Sequence, residues 1–594
     1  MNGAAVAAAV GLLLAAPAGG QDAGQKAGPN RDAPKSLLPP GFDTPAPAPA
    51  AAPAPLLPGA NAPPVESAPP PTISGEAALL PEQIGDMPPP YIAAGAAPAL
   101  APGAPIGIID VDSGGLESDA FSGSNGRFLA GLANRIQGPI ASRWVAIAVG
   151  RALASRVPGP AGIGDGDWVA ARAGLLMRMG AIDPARRLVD VLPNERYTPA
   201  TYQVAGEVSL AAADLAGLCP IAATGRALSD DVMWDLAWGM CAAMDGDDIT
   251  AAGVIDSVRG RRSAVPAFDL RLAQRVVVLA GGAGRADGIN WAEEEGLTPY
   301  RYGVASAAGV TVPADRLSAL GPAHPGWVVR NAGVPAATRF ALLRAAAVLG
   351  TLSAEELASG VAALAPADAS GGFAADSRAG RLRDAFTGSA ADRAEAIAAI
   401  VRDGGADPYG ALLEAATAAA ALKPAAAQAA QADVMIAVLL AAGNTRAARA
   451  WWPVAQQADG EVRARAQALL AAGAGVVMAA GDVSDWRAAA KASPRRQAML
   501  VAALSGLGQA RGSGWSGLKE DGVRPVSNRW TAALASAARR QAAGEVALLA
   551  ATGLQGGWAD VPPAHVEAIV AAFVACGRVA EARLIAAEAV TRST

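Results

Sequence analysis

The chain has 594 residues, more than one compact core usually holds, and a formal net charge of only -5. Hydrophobic residues make up 52% of it and aromatics only 4%, so the apolar content is mostly alanine, which favours helix and close helix–helix approach. This argues against a strand-built fold. The densest basic cluster, Arg259, Arg261 and Arg262, is too short for the basic stripe of a nucleic-acid binder.

Residues 4–16 read AAVAAAVGLLLAA and close on Ala16-Pro17-Ala18, an A-x-A-like cleavage site. This is the pattern of a secretory signal peptide over residues 1–18, and it is too short for a membrane span. Met1-Asn2-Gly3 carries no Lys or Arg, so an alanine-rich start with no export role stays open. No cysteine follows the apolar core, so a lipoprotein anchor is not expected. No later segment is long and charge-free enough to span a bilayer. The expected location is the periplasm or another exported compartment of the cell envelope.

Residues 19–105 change character. Of the 44 prolines in the chain, 22 fall within the 85 residues 21–105, which marks a linker and not a domain. Proline removes the N–H and blocks helix, so alanine's propensity cannot act in runs such as TPAPAPAAAPAPLLPG (44–59). A disordered, extended spacer is expected, with a reach of at most roughly 260 Å at about 3.1 Å per residue.

From residue 106 onward the pattern is helical. LLMRMGAIDPARRLVDVL carries Gly180, then Ala185 and Arg186 at plus five and plus six. VLLAAGNTRAARAWWPVA repeats this with Gly443, Ala448 and Arg449, and AFVACGRVAEARLIAAEA with Gly577, Ala582 and Arg583. CAAMDGDDITAAGVI has Gly246 and Ala251 but Ala252 in place of arginine, and VVMAAGDVSDWRAAA is a vaguer echo with Trp486 at plus five. Glycine accepts the left-handed backbone that ends one helix, and the small residue at plus five lets a second helix cross closely. Leu176, Leu439 and Phe573, four residues before the glycine, are expected to face that crossing. Segments 268–281, 339–350 and 392–405 are amphipathic helices ending in glycine, and 411–443 reads as two helices hinged at Lys423-Pro424. The stretch APADASGGFAADSRAG (365–380) is the best internal break, so residues 366–380 either divide one helical array over 106–365 from a second over 381–594 or form one long loop.

These turns resemble those of tetratricopeptide (TPR) repeats, in which a glycine precedes the second helix and an alanine follows five residues on. The resemblance covers about an eighth of the chain. The small first-helix position is held by Ala173, Ile436 and Val570, so the copies are degenerate. It implies an all-α fold, an α-solenoid of antiparallel helix hairpins, that offers a concave surface to a protein or peptide partner.

The chemistry-bearing residues are few. There is no C-x-x-C pair, and the two histidines, His324 and His565, lie far apart in sequence, so no metal, cofactor or catalytic residue is nominated. In an oxidising compartment Cys219 and Cys241, 22 residues apart across a helix pair, can form a disulfide, with Cys576 left over; three free thiols are the alternative. Gly282-x-Gly284 lacks a third glycine, and GSGWSG (512–517) follows no strand, so neither is a phosphate loop. Glu66-Ser67 and Glu117-Ser118 fall in linker-like sequence and open no lysozyme-like unit, and Glu293-Glu294-Glu295 reads as a solvated face. Trp451, Trp452, Tyr300, Arg301 and Tyr302 are either partner anchors or core filling among alanines. A non-enzymatic, exported scaffold is expected, with an envelope hydrolase acting on glycan or peptide as the alternative.

Overall fold

The computed structural model describes residues 104–593 apart from 261–264, 282–287, 294–295, 368–370 and 525. The segment read as a signal peptide, all but the last two residues of the segment read as a proline-rich spacer, Arg261 and Arg262, Gly282-x-Gly284, and Glu294 with Glu295 lie outside the described residues. Among those described there are 27 α-helices and no β-strand. Extended pairing is confined to isolated bridges, Ile106 with Val157, Ile109 with Ser155, Asn125 with Ala161 and Ile140 with Gln555. No described helix is long and apolar enough to cross a membrane.

Helices that follow one another in the chain pack on each other. Examples are Asp165–Arg178 with Ile182–Asp190, Val232–Met244 with Asp248–Gly260, and Pro563–Ala575 with Val579–Arg592. The turn chemistry explains why. Gly180, Gly246, Gly443 and Gly577 all have φ between +75° and +86°, the left-handed region. In each case the next amide reaches back to the carbonyl five residues earlier: Ala181 to Leu176 at 2.9 Å, Asp247 to Ala242, Asn444 to Leu439 and Arg578 to Phe573 at 2.8 Å. This satisfies helix-end carbonyls that would otherwise be orphaned. Ala185, Ala251, Ala448 and Ala582 at plus five are all completely buried, so each second helix lies against its predecessor. The echo at Gly481 is different: its φ is -62°, and it opens the helix Asp482–Ala489 instead of closing one.

Helices on the two sides of 366–380 share a core. Ala336–Val348 and Ala354–Leu364 both pack on Pro408–Ala420. The buried Glu414 takes hydrogen bonds from Arg344 at 2.8 and 3.0 Å and from Arg378 at 2.5 Å. The helix Arg378–Asp384 begins inside the Gly/Ser segment.

An early helix, Arg143–Ala154, also meets the last described helix, Val579–Arg592. Arg143–Ala154 packs on Asp165–Arg178, Ala543–Gly553 and Val579–Arg592. Four hydrogen-bond donors converge on Glu588: Ser142 Oγ at 2.6 Å, the amides of Arg143 and Trp144 at 2.9 and 3.3 Å, and Arg592 Nη1 at 2.8 Å. The carboxylate thereby neutralises the positive end of a helix more than 440 residues away in sequence. At the other end, the buried Arg172 donates to the carbonyls of Leu153, Ser155 and Ile106 at 3.0–3.3 Å and caps the same helix.

Candidate functional site

The Arg143–Ala154 helix buries Val145, Val149, Ala152 and Leu153 completely; on its opposite face, at four-residue spacing, Ile147 and Arg151 line two adjoining clefts and Arg143 lines the larger of them. The larger, about 580 Å³, is closed by the turn and first residues of helix Ala354–Leu364, by the last turn of helix Pro408–Ala420 at Ala416, Thr417 and Ala420, and by Ala442, Gly443 and Asn444. The smaller, about 420 Å³, is closed by Leu176, Met179, Ala181, Asp183 and Arg187, and shares Ile147, Arg151 and Gly350 with the first.

The turn glycines build this groove. Gly443 lies so near the Trp144 ring that an added Cβ would come within 2.5 Å of it, and Gly350, at φ +84°, lies against Ile147 and Arg143. Turns from three helix pairs, at 180, 350 and 443, therefore reach the groove around one central helix.

Its charges are mixed with an excess of cation. Arg330 pairs with Glu356 at 2.9 Å and Asp183 at 3.6 Å. Arg143, Arg151 and Arg187 have no carboxylate within ion-pair distance among the described residues, and Glu355 is the remaining acid on the walls. Burial pulls the Arg143 pKa below its ordinary value. In contrast, the buried carboxylates hold helices together: Glu414 as above, Glu545 through Ser124 and Arg540, and Glu588 through the helix cap.

The aromatic candidates lie outside these clefts and pack into or against the core. Trp451 is 1% exposed and Tyr302 is completely buried, its hydroxyl accepting from Asn331 Nδ2 at 2.9 Å. The buried Arg301 pairs with Asp269 at 2.5 Å and donates to Gly296 O at 2.7 Å, and Tyr300 donates to the Asp269 carbonyl. Burial pushes the Tyr302 hydroxyl up to about 12. Trp452 is half-buried against the same core. Rare rings among alanines fill the volume that alanine leaves, so their rarity marks packing here.

Cys219 and Cys241 are bonded to each other, joining helices Cys219–Leu228 and Val232–Met244, and Cys576 is a free, half-buried thiol. His565 is buried, its ring tilted against Trp530 with centroids 4.6 Å apart, and its Nδ1 lies 3.0 Å from Gly553 O. No group of metal-ligating side chains is found among the described residues. The GSGWSG match opens the short helix Ser513–Gly522, and a loop following helix Pro494–Gly506, not a strand, precedes it.

The sequence reading missed the groove because no single segment carries it. The i, i+4, i+8 spacing of Arg143, Ile147 and Arg151 was the one local signal. No protein-family model, no curated protein and no solved structure matches the chain.

Proposed function

We propose that this is an exported, non-enzymatic scaffold, a degenerate TPR-like α-solenoid, that holds a protein or peptide partner in the groove beside the Arg143–Ala154 helix. The observation that carries the reading is the pair of adjoining clefts sharing one helical wall, with turns from several helix pairs set around it. A continuous, part-apolar groove with charged walls suits an extended chain better than a compact transition state. The proline-rich segment would then space this body from the envelope surface.

The test uses the full chain as bait on an envelope extract. Partner capture should be abolished by Ala420→Trp, which fills the larger cleft from an exposed position, and unaffected by Ile249→Ser on a distant exposed site. Equal capture by both variants would remove the groove from the account. Export is tested by cell fractionation with and without residues 1–18.

The hydrolase alternative has one foothold. Asp190 lies in a cleft of about 210 Å³ with Tyr197 and Ser209, and desolvation, opposed by Arg186 and aided by Asp214, raises its carboxyl pKa. Glycan or peptide hydrolysis by the wild-type chain that disappears in Asp190→Asn would replace the scaffold reading.

A further inference from the structure

We propose that the larger cleft is a carboxylate-recognition site, and that the partner presents it with an acidic group on an extended peptide. The inference rests on the scaffold reading and narrows its ligand.

Four observations converge. First, Arg143 is 4% exposed, lines the cleft and has no ion pair among the described residues; its Nη1 donates to the Ala347 carbonyl, and its Nε–H finds no acceptor among them. Buried guanidinium groups are ordinarily matched by an anion. The acid closest to serving, Glu588, already accepts from Ser142, two helix amides and Arg592. Second, Thr417 lines the same cleft with its hydroxyl buried and unpartnered. Third, the helix Ala354–Leu364 begins at the cleft wall. Its cap, Ser353, accepts from the Glu356 amide, leaving the Ala354 and Glu355 amides without intrahelical acceptors. Fourth, Arg151 stands exposed at the junction with the second cleft, with no carboxylate in reach among the described residues.

Between these donors the wall is aliphatic, from Ile147, Leu352, Ala416 and Ala420. One buried guanidinium with a free N–H, one hydroxyl and a helix start match a singly charged carboxylate carried on an aliphatic chain. A phosphate dianion would call for more than one such fork. The exposed Glu355 on the same wall disfavours a dianion further. Arg151 and Arg187 then lie along the path of a chain leaving the larger cleft for the smaller one.

The carboxylate can come from a chain terminus or from an Asp or Glu side chain, and the probes separate these. Full-length protein is titrated by fluorescence polarisation with three fluorescein-labelled peptides: Gly-Ala-Leu-Ala with a free C-terminus, the same peptide as its amide, and the amide with the last residue changed to Glu. At least one acid form should bind about tenfold or more tightly than the plain amide, the effect of one hydrogen bond to a charged group. Thr417→Val and Arg151→Gln should each shrink that ratio about threefold or more with unchanged circular dichroism and melting temperature. Arg143→Gln should abolish it; because that side chain is buried, the other two variants carry the test should it not fold. Equal binding of acid and amide forms, no binding of either, or a ratio indifferent to Thr417→Val and Arg151→Gln overturns the proposal. If envelope capture still depends on Ala420 in that event, the groove reading stands and only its anion preference falls.

Discussion

Replacing Glu588 by alanine should be among the most damaging single changes in the chain. Its side chain is fully buried and receives Ser142 Oγ, the Arg143 and Trp144 amides and Arg592 Nη1. Truncation leaves Arg592 without its acid, removes an acceptor from two first-turn amides, and opens a cavity between the helices Arg143–Ala154 and Val579–Arg592. Removing one partner of a buried ion pair costs about 3–5 kcal/mol. Loss of a helix cap alone costs about 1 kcal/mol. Because both losses occur in one place and relax together, the total expected is about 3–5 kcal/mol, not their sum. Glu588→Gln keeps the shape and one acceptor oxygen but gives up the charge, and should cost clearly less than alanine. Urea unfolding followed by circular dichroism gives the difference. Hydrogen exchange adds a signature: protection should fall together in the helices Arg143–Ala154 and Val579–Arg592, although they lie at opposite ends of the described chain. A cost under about 1 kcal/mol, or loss of protection in only one of the two helices, would refute the view that this carboxylate joins them.

Gly443→Ala combines a φ of +83° with a Cβ 2.5 Å from the Trp144 ring and should destabilise by about 2–4 kcal/mol, read as a lowered urea midpoint, whereas Gly246→Ala, at φ +80° with open space, should cost only about 1 kcal/mol. Cys219→Ser/Cys241→Ser opens a 22-residue loop and should cost about 3 kcal/mol, with reductant giving the same shift to the wild type and none to the variant. Burial by itself would raise the Glu414 pKa, but hydrogen bonds from Arg344 and Arg378 hold it below its ordinary value. Its contribution to stability is therefore complete above the unfolded glutamate pKa of about 4.3 and is lost as the pH falls through the lower folded value, so the gap between wild type and Glu414→Gln in urea midpoint should close in acid. Trp451→Ala should lower stability by about 3–5 kcal/mol as a core truncation, and a change under about 1 kcal/mol would return this residue to the surface.

Local signals carried the helical class far. Alanine-rich segments ended by Gly180, Gly246, Gly443 and Gly577 became helix pairs with left-handed turns, and the alanine five residues on is buried every time. Where the same signal was weaker, at Gly481, the turn is of another kind. The stretch at 366–380 reads as a divider between arrays or as a long loop, and composition cannot register that Arg344 and Arg378 reach the same Glu414. The aromatic residues were equally ambiguous, because a lone tryptophan among alanines suits a binding surface and a packed core alike. Only its neighbours decide.

What the sequence by itself determined is therefore the all-helical class and the places where helices turn. Those depend on φ, on missing N–H groups and on hydrogen bonds spanning five residues. Tertiary structure alone decided that helix Arg143–Ala154 forms the wall of a groove, that Ser142 meets Glu588 across 446 residues, and that Arg143 is buried without an anion. Contacts between segments so far apart leave no period or spacing in the chain, since they depend on the path of every helix between them.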